Sequence, residues 1–262
     1  MFIGIFSLSF LLAQNVSAWT ISRDAEGGTN GATATGSYGF FYANQVTFSR
    51  TLAHSGLTSF AAQFNQGVTD PPGATFEGGG QTISEGGEAW WRVYIYFPEG
   101  FDFTCSPVVK VLRFLATQNG HLSIFAGSNG EIIMSNEPTD HQEDSGEYFS
   151  TGTWQCVEFY VKASSISGQG AFRIWKDGIL IYENTTFPTL AASGNSITDV
   201  FRVWTNWNGG SPQNQVAYID DIVITNEQPS NVDASGNRMI GPTNWGNSDT
   251  AAPSNPTGLT VL

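Results

Sequence analysis

Six of the ten basic residues, Arg92, Lys110, Arg113, Lys162, Arg173 and Arg202, fall inside alternating apolar runs, whereas most acids sit in turn-like stretches such as Thr139 to Glu147. A guanidinium held on a strand can neutralise a carboxylate, and a phenol or imidazole beside it can move a proton. Such a set has the parts needed to abstract a proton next to a carboxylate. Arg92 and Arg202 are candidates for the first role, and Tyr94, Tyr160 and His121 for the second. The rings of Tyr94, Tyr96, Tyr160, Trp175 and Trp204 fall on the polar faces of their runs, where flat rings can stack on sugars. Glu158, Lys162 and Asn206 complete this candidate binding set. His54 and His141 lie near turns, and no Cys/His cluster suggests zinc.

The elements that position these side chains are strands. In Trp90 to Phe97, Val93, Ile95 and Phe97 share one face and Arg92, Tyr94 and Tyr96 the other, because successive strand side chains point to opposite sides. Val157, Phe159 and Val161 repeat the pattern against Glu158, Tyr160 and Lys162; Phe172 and Ile174 do so against Arg173 and Trp175. Lys176-Asp177-Gly178 reads as a hairpin turn. Phe201, Val203 and Thr205 are expected to face a core, with Arg202, Trp204 and Asn206 opposite. Val108 to Leu115 is ambiguous, since simple alternation puts Lys110 and Arg113 on different faces. Short alternating runs separated by turn clusters predict an all-β, two-sheet antiparallel β-sandwich over residues 19–228.

The chain has 262 residues, 30 of them Gly, with 13% aromatic content, which fits one large domain of strands and tight turns. A net charge of −13 argues against a nucleic-acid partner. Residues 1–18 combine an apolar run with small residues at Val16-Ser17-Ala18, the pattern of a signal peptide, so a secreted, extracellular protein is expected. No later stretch is long enough to span a bilayer. Export makes a disulfide between Cys105 and Cys156 the default expectation. Residues 229–256 read as a linker from their Asn, Ser, Pro and Gly content, and the end of the chain, 257–262 with the Pro253-Ser254-Asn255-Pro256 that leads into it, resembles the opening of a fibronectin type III domain. Further C-terminal domains are therefore expected.

Ala89 to Phe103, Trp154 to Lys162, Phe172 to Gly178 and Tyr218 to Ile224 together resemble the concanavalin A-like lectin/glucanase superfamily. The resemblance implies a jelly roll with a glycan on its concave face. That superfamily contains hydrolases, polysaccharide lyases and non-catalytic binding modules. The laminarinase-type Glu-x-Asp-x-x-Glu is absent, which disfavours hydrolysis by paired carboxylates. Tyr160-Val161-Lys162-Ala163-Ser164 resembles a run of alginate lyases, but Ile166 and Gly168 depart from it, so those catalytic roles are not transferred. The expected function is recognition of an extracellular, acidic polysaccharide, with β-elimination as its sharper form. A carbohydrate-binding module and an adhesion domain are the alternatives. Asp24, Glu26, Asp220 and Asp221 resemble the terminal carboxylates with which jelly-roll modules hold structural calcium.

Overall fold

The computed structural model describes residues 17–70, 74–117 and 120–242. The strands are β1 (Thr20–Arg23), β2 (Tyr42–Ala43), β3 (Val46–Ser49), β4 (Ser59–Phe64), β5 (Ala74–Ser84), β6 (Glu88–Tyr96), β7 (Val109–Ala116), β8 (Gly120–Ala126) and β9 (Glu131–Asn136). They continue as β10 (His141–Tyr148), β11 (Trp154–Lys162), β12 (Ala171–Lys176), β13 (Ile179–Asn184), β14 (Ser196–Trp207), β15 (Gln215–Thr225), β16 (Asn231–Val232) and β17 (Arg238–Met239). One sheet has eight strands, in the order β13-β12-β11-β6-β15-β4-β3 with β1 also on β15. The other has seven, in the order β10-β9-β8-β7-β14-β5-β2. Neighbours within both are antiparallel, as expected for a jelly roll. Among the described residues no helix is long and apolar enough to cross a membrane.

The core is a chain of rings contributed by inward faces of both sheets. Trp91 packs on Phe114 at 4.2 Å between centroids, Phe114 on Phe159 at 4.6 Å and on Phe201 at 5.3 Å, and Phe159 on Phe172 at 4.3 Å. Each fully buried ring of this kind contributes about 2–3 kcal/mol through apolar area withdrawn from water. The alternation expected for β6, β11 and β12 is therefore realised, with Val93, Ile95, Phe97, Val157, Phe159, Val161, Phe172 and Ile174 all in the core. The β12–β13 hairpin turns through Asp177 (φ 52°) and Gly178 (φ 80°), the left-handed pair that a two-residue turn matching strand twist requires.

The outward face of β6, β11 and β12 is not open. Residues 231–242, the beginning of the stretch read as a linker, form the β16–β17 hairpin and a following strap that lie on it. Trp90 Nε1 donates to Arg238 O at 2.9 Å, and Trp175 Nε1 to Asp233 Oδ2 at 2.9 Å. Glu158 accepts from the backbone N–H of Ile240 at 2.6 Å and of Gly241 at 2.8 Å. Arg92 Nη1 donates to Gly241 O at 3.3 Å and Tyr94 OH to Pro242 O. Ile240 is wholly buried among Trp90, Tyr160, Trp175 and Val223. Composition missed this because the strap is polar and irregular, and its hold depends on partners far away in sequence.

The expected disulfide is not formed, since both cysteines are free. Cys156 is buried in the register position opposite Tyr94 in the eight-stranded sheet, while Cys105 Sγ lies 3.7 Å from Ala126 O at the end of β8 in the other sheet. Burial pushes the Cys105 thiol up to about 11, so neither cysteine is a ready nucleophile. Denatured, unreduced protein is expected to take up an alkyl group at each cysteine by mass spectrometry; a bridged mass would overturn this placement.

Burial pushes the Glu158 carboxyl up to about 7, against the opposing pull of the Gly241 and Ile240 N–H groups and Arg92. The folded chain therefore keeps a proton that the unfolded chain releases near 4.5. Stability from this group is fully present at low pH and declines as pH rises from about 4.5 to about 7, by up to about 3 kcal/mol. Urea midpoints measured across that window are expected to fall with pH in the parent protein and to fall less steeply in Glu158→Gln, even though that variant starts lower. Equal slopes would show that burial does not raise this carboxyl in the folded chain.

Candidate functional site

On the outer face of the seven-stranded sheet the Arg113 and His121 side chains keep 12% and 13% exposure while Ser123 is wholly buried, and two irregularities decide what stands there. In β14 the residues Val203 and Asn206 pair with Leu112 and Lys110, which leaves one extra residue on β14. Trp204 takes φ 43° there, the kind of bulge that re-aims side chains beside functional sites. It points its ring into the core, 5.8 Å from Phe64, and is 1% exposed. The expectation that Trp204 stacks on a ligand is thus overturned. Arg202 and Asn206 remain outward. In β7 a second register shift between Lys110 and Leu112 puts Lys110 and Arg113 on the same face, which simple alternation could not do.

Three strands then bring their polar side chains together. Arg202 is directly opposite Arg113 in the β14–β7 ladder, and Leu115 opposite His121 in β7–β8. Arg113 Nη2 lies 2.6 Å from His121 Nδ1, and Arg202 Nη1 lies 3.3 Å from His121 Nε2. Arg113 Nη1 donates to Thr205 Oγ1 at 3.2 Å. Glu137 enters from the 3-10 turn Glu137–Thr139 after β9. It accepts from Arg113 Nη2 at 3.0 and 3.2 Å and from the backbone N–H of His121 at 3.0 Å, and its Oε2 is 3.1 Å from His121 Nδ1. Nδ1 meets two opposite demands, since Glu137 accepts a proton carried there while the donor-only Arg113 guanidinium needs a lone pair, and Nε2 faces the Arg202 donor. The Nε atoms of both arginines and the Ser123 hydroxyl are buried without a hydrogen-bond partner, a pattern that marks polar groups the protein does not satisfy by itself.

The charges act on one another. Burial alone would raise the Glu137 carboxyl, but its His121 hydrogen bond and the charges of Arg113, His121 and Lys110 together bring it down to about 2. Burial, then the Arg113 charge, lowers the Lys110 ammonium, making its proton easier to give. Burial also lowers Arg113, while Glu137 opposes that shift.

The residues expected to form one site therefore divide. His121, Arg202 and Asn206 share the open face. Arg92, Tyr94, Glu158, Tyr160 and Trp175 lie on the other sheet, where the strap and its contacts cover them. Tyr96 and Lys162, half-buried, belong to that sheet as well. Arg113 and Lys110 were noted as strand cations but not assigned to the site, and Glu137 was missed, since no periodic pattern reaches a 3-10 turn.

Three of the four terminal carboxylates, Glu26, Asp220 and Asp221, bond one loop. Glu26 Oε1 accepts from Leu57 N and Thr58 N, both at 2.9 Å, and Asp220 Oδ2 from His54 N at 2.9 Å. Asp221 accepts from Ser55 Oγ at 2.8 Å and contacts His54 Nδ1 at 2.6 Å; Asp24 Oδ1 caps Glu26 N at 3.2 Å. Asp220 is wholly buried, and burial with the neighbouring Asp221 charge holds its carboxyl well above the ordinary range. The donors are hard oxygens of the kind calcium takes, but among the described residues no three His, Cys, Asp or Glu are arranged to hold a metal as they stand.

No family model matches the sequence, and no curated protein is similar to it in sequence. Solved structures do share its fold, a jelly roll of the concanavalin A-like type. An endo-β-1,4-glucuronan lyase from the fungus Trichoderma reesei aligns with a TM-score of 0.56 at 16% identity, over 78% of this chain and 94% of that one. The cellulose-induced protein Cip1 aligns at 0.55 and 20% identity over 78% and 96%. An alginate lyase from Chlorella virus aligns at 0.54 and 14% over 70% and 90%. At these identities the likeness defines the fold and leaves the chemistry to the chain's own residues.

Proposed function

We propose that the outer face of the seven-stranded sheet binds an acidic polysaccharide outside the cell and cleaves it by β-elimination. The observation that carries this reading is the flanking of His121 by guanidinium groups from two different strands, Arg113 at 2.6 Å and Arg202 at 3.3 Å. A uronate carboxylate placed against this pair would have its charge neutralised, and the negative charge that grows on it as the C5 proton leaves would be stabilised. His121 Nε2 takes that proton. The electrons released form the C4–C5 double bond and break the bond from C4 to the glycosidic oxygen, which needs a proton in turn. Lys110, on the same face and with its ammonium lowered, is suited to give it. The role of His121 as base needs the proton on Nδ1, the tautomer that Glu137 favours and the Arg113 guanidinium opposes. The fold of the neighbouring lyases is consistent with such a face. Non-catalytic binding is the second reading, and the pairing of Arg113 with Glu137 favours it, because part of that charge is already compensated.

Incubation with glucuronan, alginate, pectin, ulvan and a neutral glucan distinguishes these readings. Unsaturated product from a polyuronate, with turnover reduced about 100-fold or more in Arg202→Ala and His121→Ala, is expected. Retention on the polymer without product supports the binding module, and neither outcome leaves an adhesion domain.

We also propose that calcium is held by Asp24, Glu26 and one or both of Asp220 and Asp221, after a shift of the 54–58 loop that now takes their oxygens. The support is the repulsion of buried Asp220 by its neighbour Asp221, which a divalent cation would relieve. The melting midpoint should be higher with calcium than with chelator; an unchanged midpoint in metal-free protein would rule the ion out.

A further inference from the structure

We infer that Tyr42 is an aromatic platform for the glycan, at the end of a row of register positions that crosses the sheet through the arginine pair. This rests on the polysaccharide reading of the face and adds where the sugar chain runs. The direct register partners form one transverse line: Tyr42 with Thr75, Thr75 with Arg202, Arg202 with Arg113, Arg113 with Ser123, Ser123 with Ser135, and Ser135 with Gln142. Residues in direct register point to the same side of a sheet. Parity fixes which side. The next line holds Ala43, Ala74 and Val203, and Val203 is wholly buried in the core while Ala43 packs against it. Tyr42 therefore stands on the opposite face, the one that bears Arg202.

The ring of Tyr42 is 58% exposed, on the edge strand β2. Phe41, its neighbour in sequence, is 73% exposed, so this edge presents two adjacent rings and not a single scattered one. The Tyr42 backbone is nonetheless firmly placed. Phe40, two residues earlier, is 1% exposed and packs on Phe60 at 4.9 Å. Ala34 N donates to Val46 O at 2.9 Å, Phe40 N to Ala34 O at 2.8 Å, and Arg23 Nε to Gly39 O at 3.3 Å. A ring held on such a support loses little freedom when a ligand settles on it. Tyr42 and Arg202 are separated by β5 alone, so their backbones are about 10 Å apart at normal strand spacing, a reach of about two linked sugars. The geometry points to a glycan lying across the strands, with its reacting uronate at Arg113 and Arg202 and a sugar toward one end stacked on Tyr42.

The test compares the parent protein, Tyr42→Ala, Tyr42→Phe and Tyr38→Ala on oligouronides of increasing length. Tyr38 is a control: it is 54% exposed but lies against Gly27, outside the row. Tyr42→Ala is expected to raise KM, or weaken binding, by about tenfold on long oligomers, with kcat retained and little change on the shortest one processed. Tyr42→Phe should behave like the parent, because the ring face does the stacking, and so should Tyr38→Ala. Parent-like affinity of Tyr42→Ala on long oligomers would overturn the platform while leaving the function intact. An equal loss in Tyr38→Ala would assign the effect to the loop and overturn it too. If the parent neither cleaves nor retains any polyuronate, the functional reading itself fails, and the platform with it.

Discussion

At Trp204 the backbone of β14 takes φ 43° and inserts one residue more than its partner strand has. Strand side chains alternate strictly, so without that insertion Trp204 would stand among the outward cations and Thr205 would enter the core. With it, Val203, Trp204 and Trp207 all fill the interior, while Arg202, Thr205 and Asn206 remain on the outer side. Thr205 can then accept from Arg113, and Arg202 can reach His121. A left-handed tryptophan is an unfavourable conformation. Burying its indole against Phe64 is what offsets the cost. The reading of the whole open face follows from this local exchange of backbone strain for core packing.

The two outer faces of the sandwich solve the same problem in opposite ways. Each carries arginine and a glutamate among rings or hydroxyls. On the eight-stranded sheet the protein supplies its own ligand: the strap gives amide N–H groups to Glu158 and carbonyls to Arg92, Tyr94 and Trp90, and it buries Ile240 against the rings. Polar groups there are matched at close range, as burial demands. On the seven-stranded sheet the matching is partial. Glu137 accepts from Arg113 Nη2 and the His121 backbone, while that same Nη2 and Arg202 Nη1 converge on an imidazole, a neighbour that can accept from only one of them when neutral. A like-charged pair held this way is tolerable where an anion arrives.

Alternation in the sequence correctly separated inward from outward residues in β6, β11 and β12, and the tight turn at Asp177-Gly178 was legible from residue type alone. What alternation cannot show is a bulge, which re-aims the residues beside it; Trp204 and Thr205 exchange sides and Lys110 is ambiguous for that reason. Nor can it tell which of two outward faces stays open. Arg92 and Tyr160 looked as suitable as Arg202 and His121 until the strap was found over one set. Glu137 had no signal beyond a carboxylate next to Pro138 at the end of an apolar run, and its value comes only from the antiparallel return of β9 along β8.

The charge balance sharpens what such a face can do. A net charge of −13 repels an approaching polyanion, and salt screens that repulsion over a Debye length of about 8 Å at physiological ionic strength. Attraction must come from within that range, from Arg113, Arg202 and Lys110, and Glu137 subtracts from it. Long-range steering, which speeds association when protein and ligand carry opposite charge, therefore works against a polyuronate here, and salt relieves it. Short-range contacts are screened less, since the groups are half-buried. The combination disfavours indiscriminate capture of any polyanion and favours a ligand whose carboxylate fits the paired guanidinium groups while its sugar rings contact uncharged surface. Charge on this face thus acts as a filter on geometry, and binding strength has to be drawn from uncharged contacts such as the exposed Tyr42, because Ser123 and Ser135 in the same row are buried.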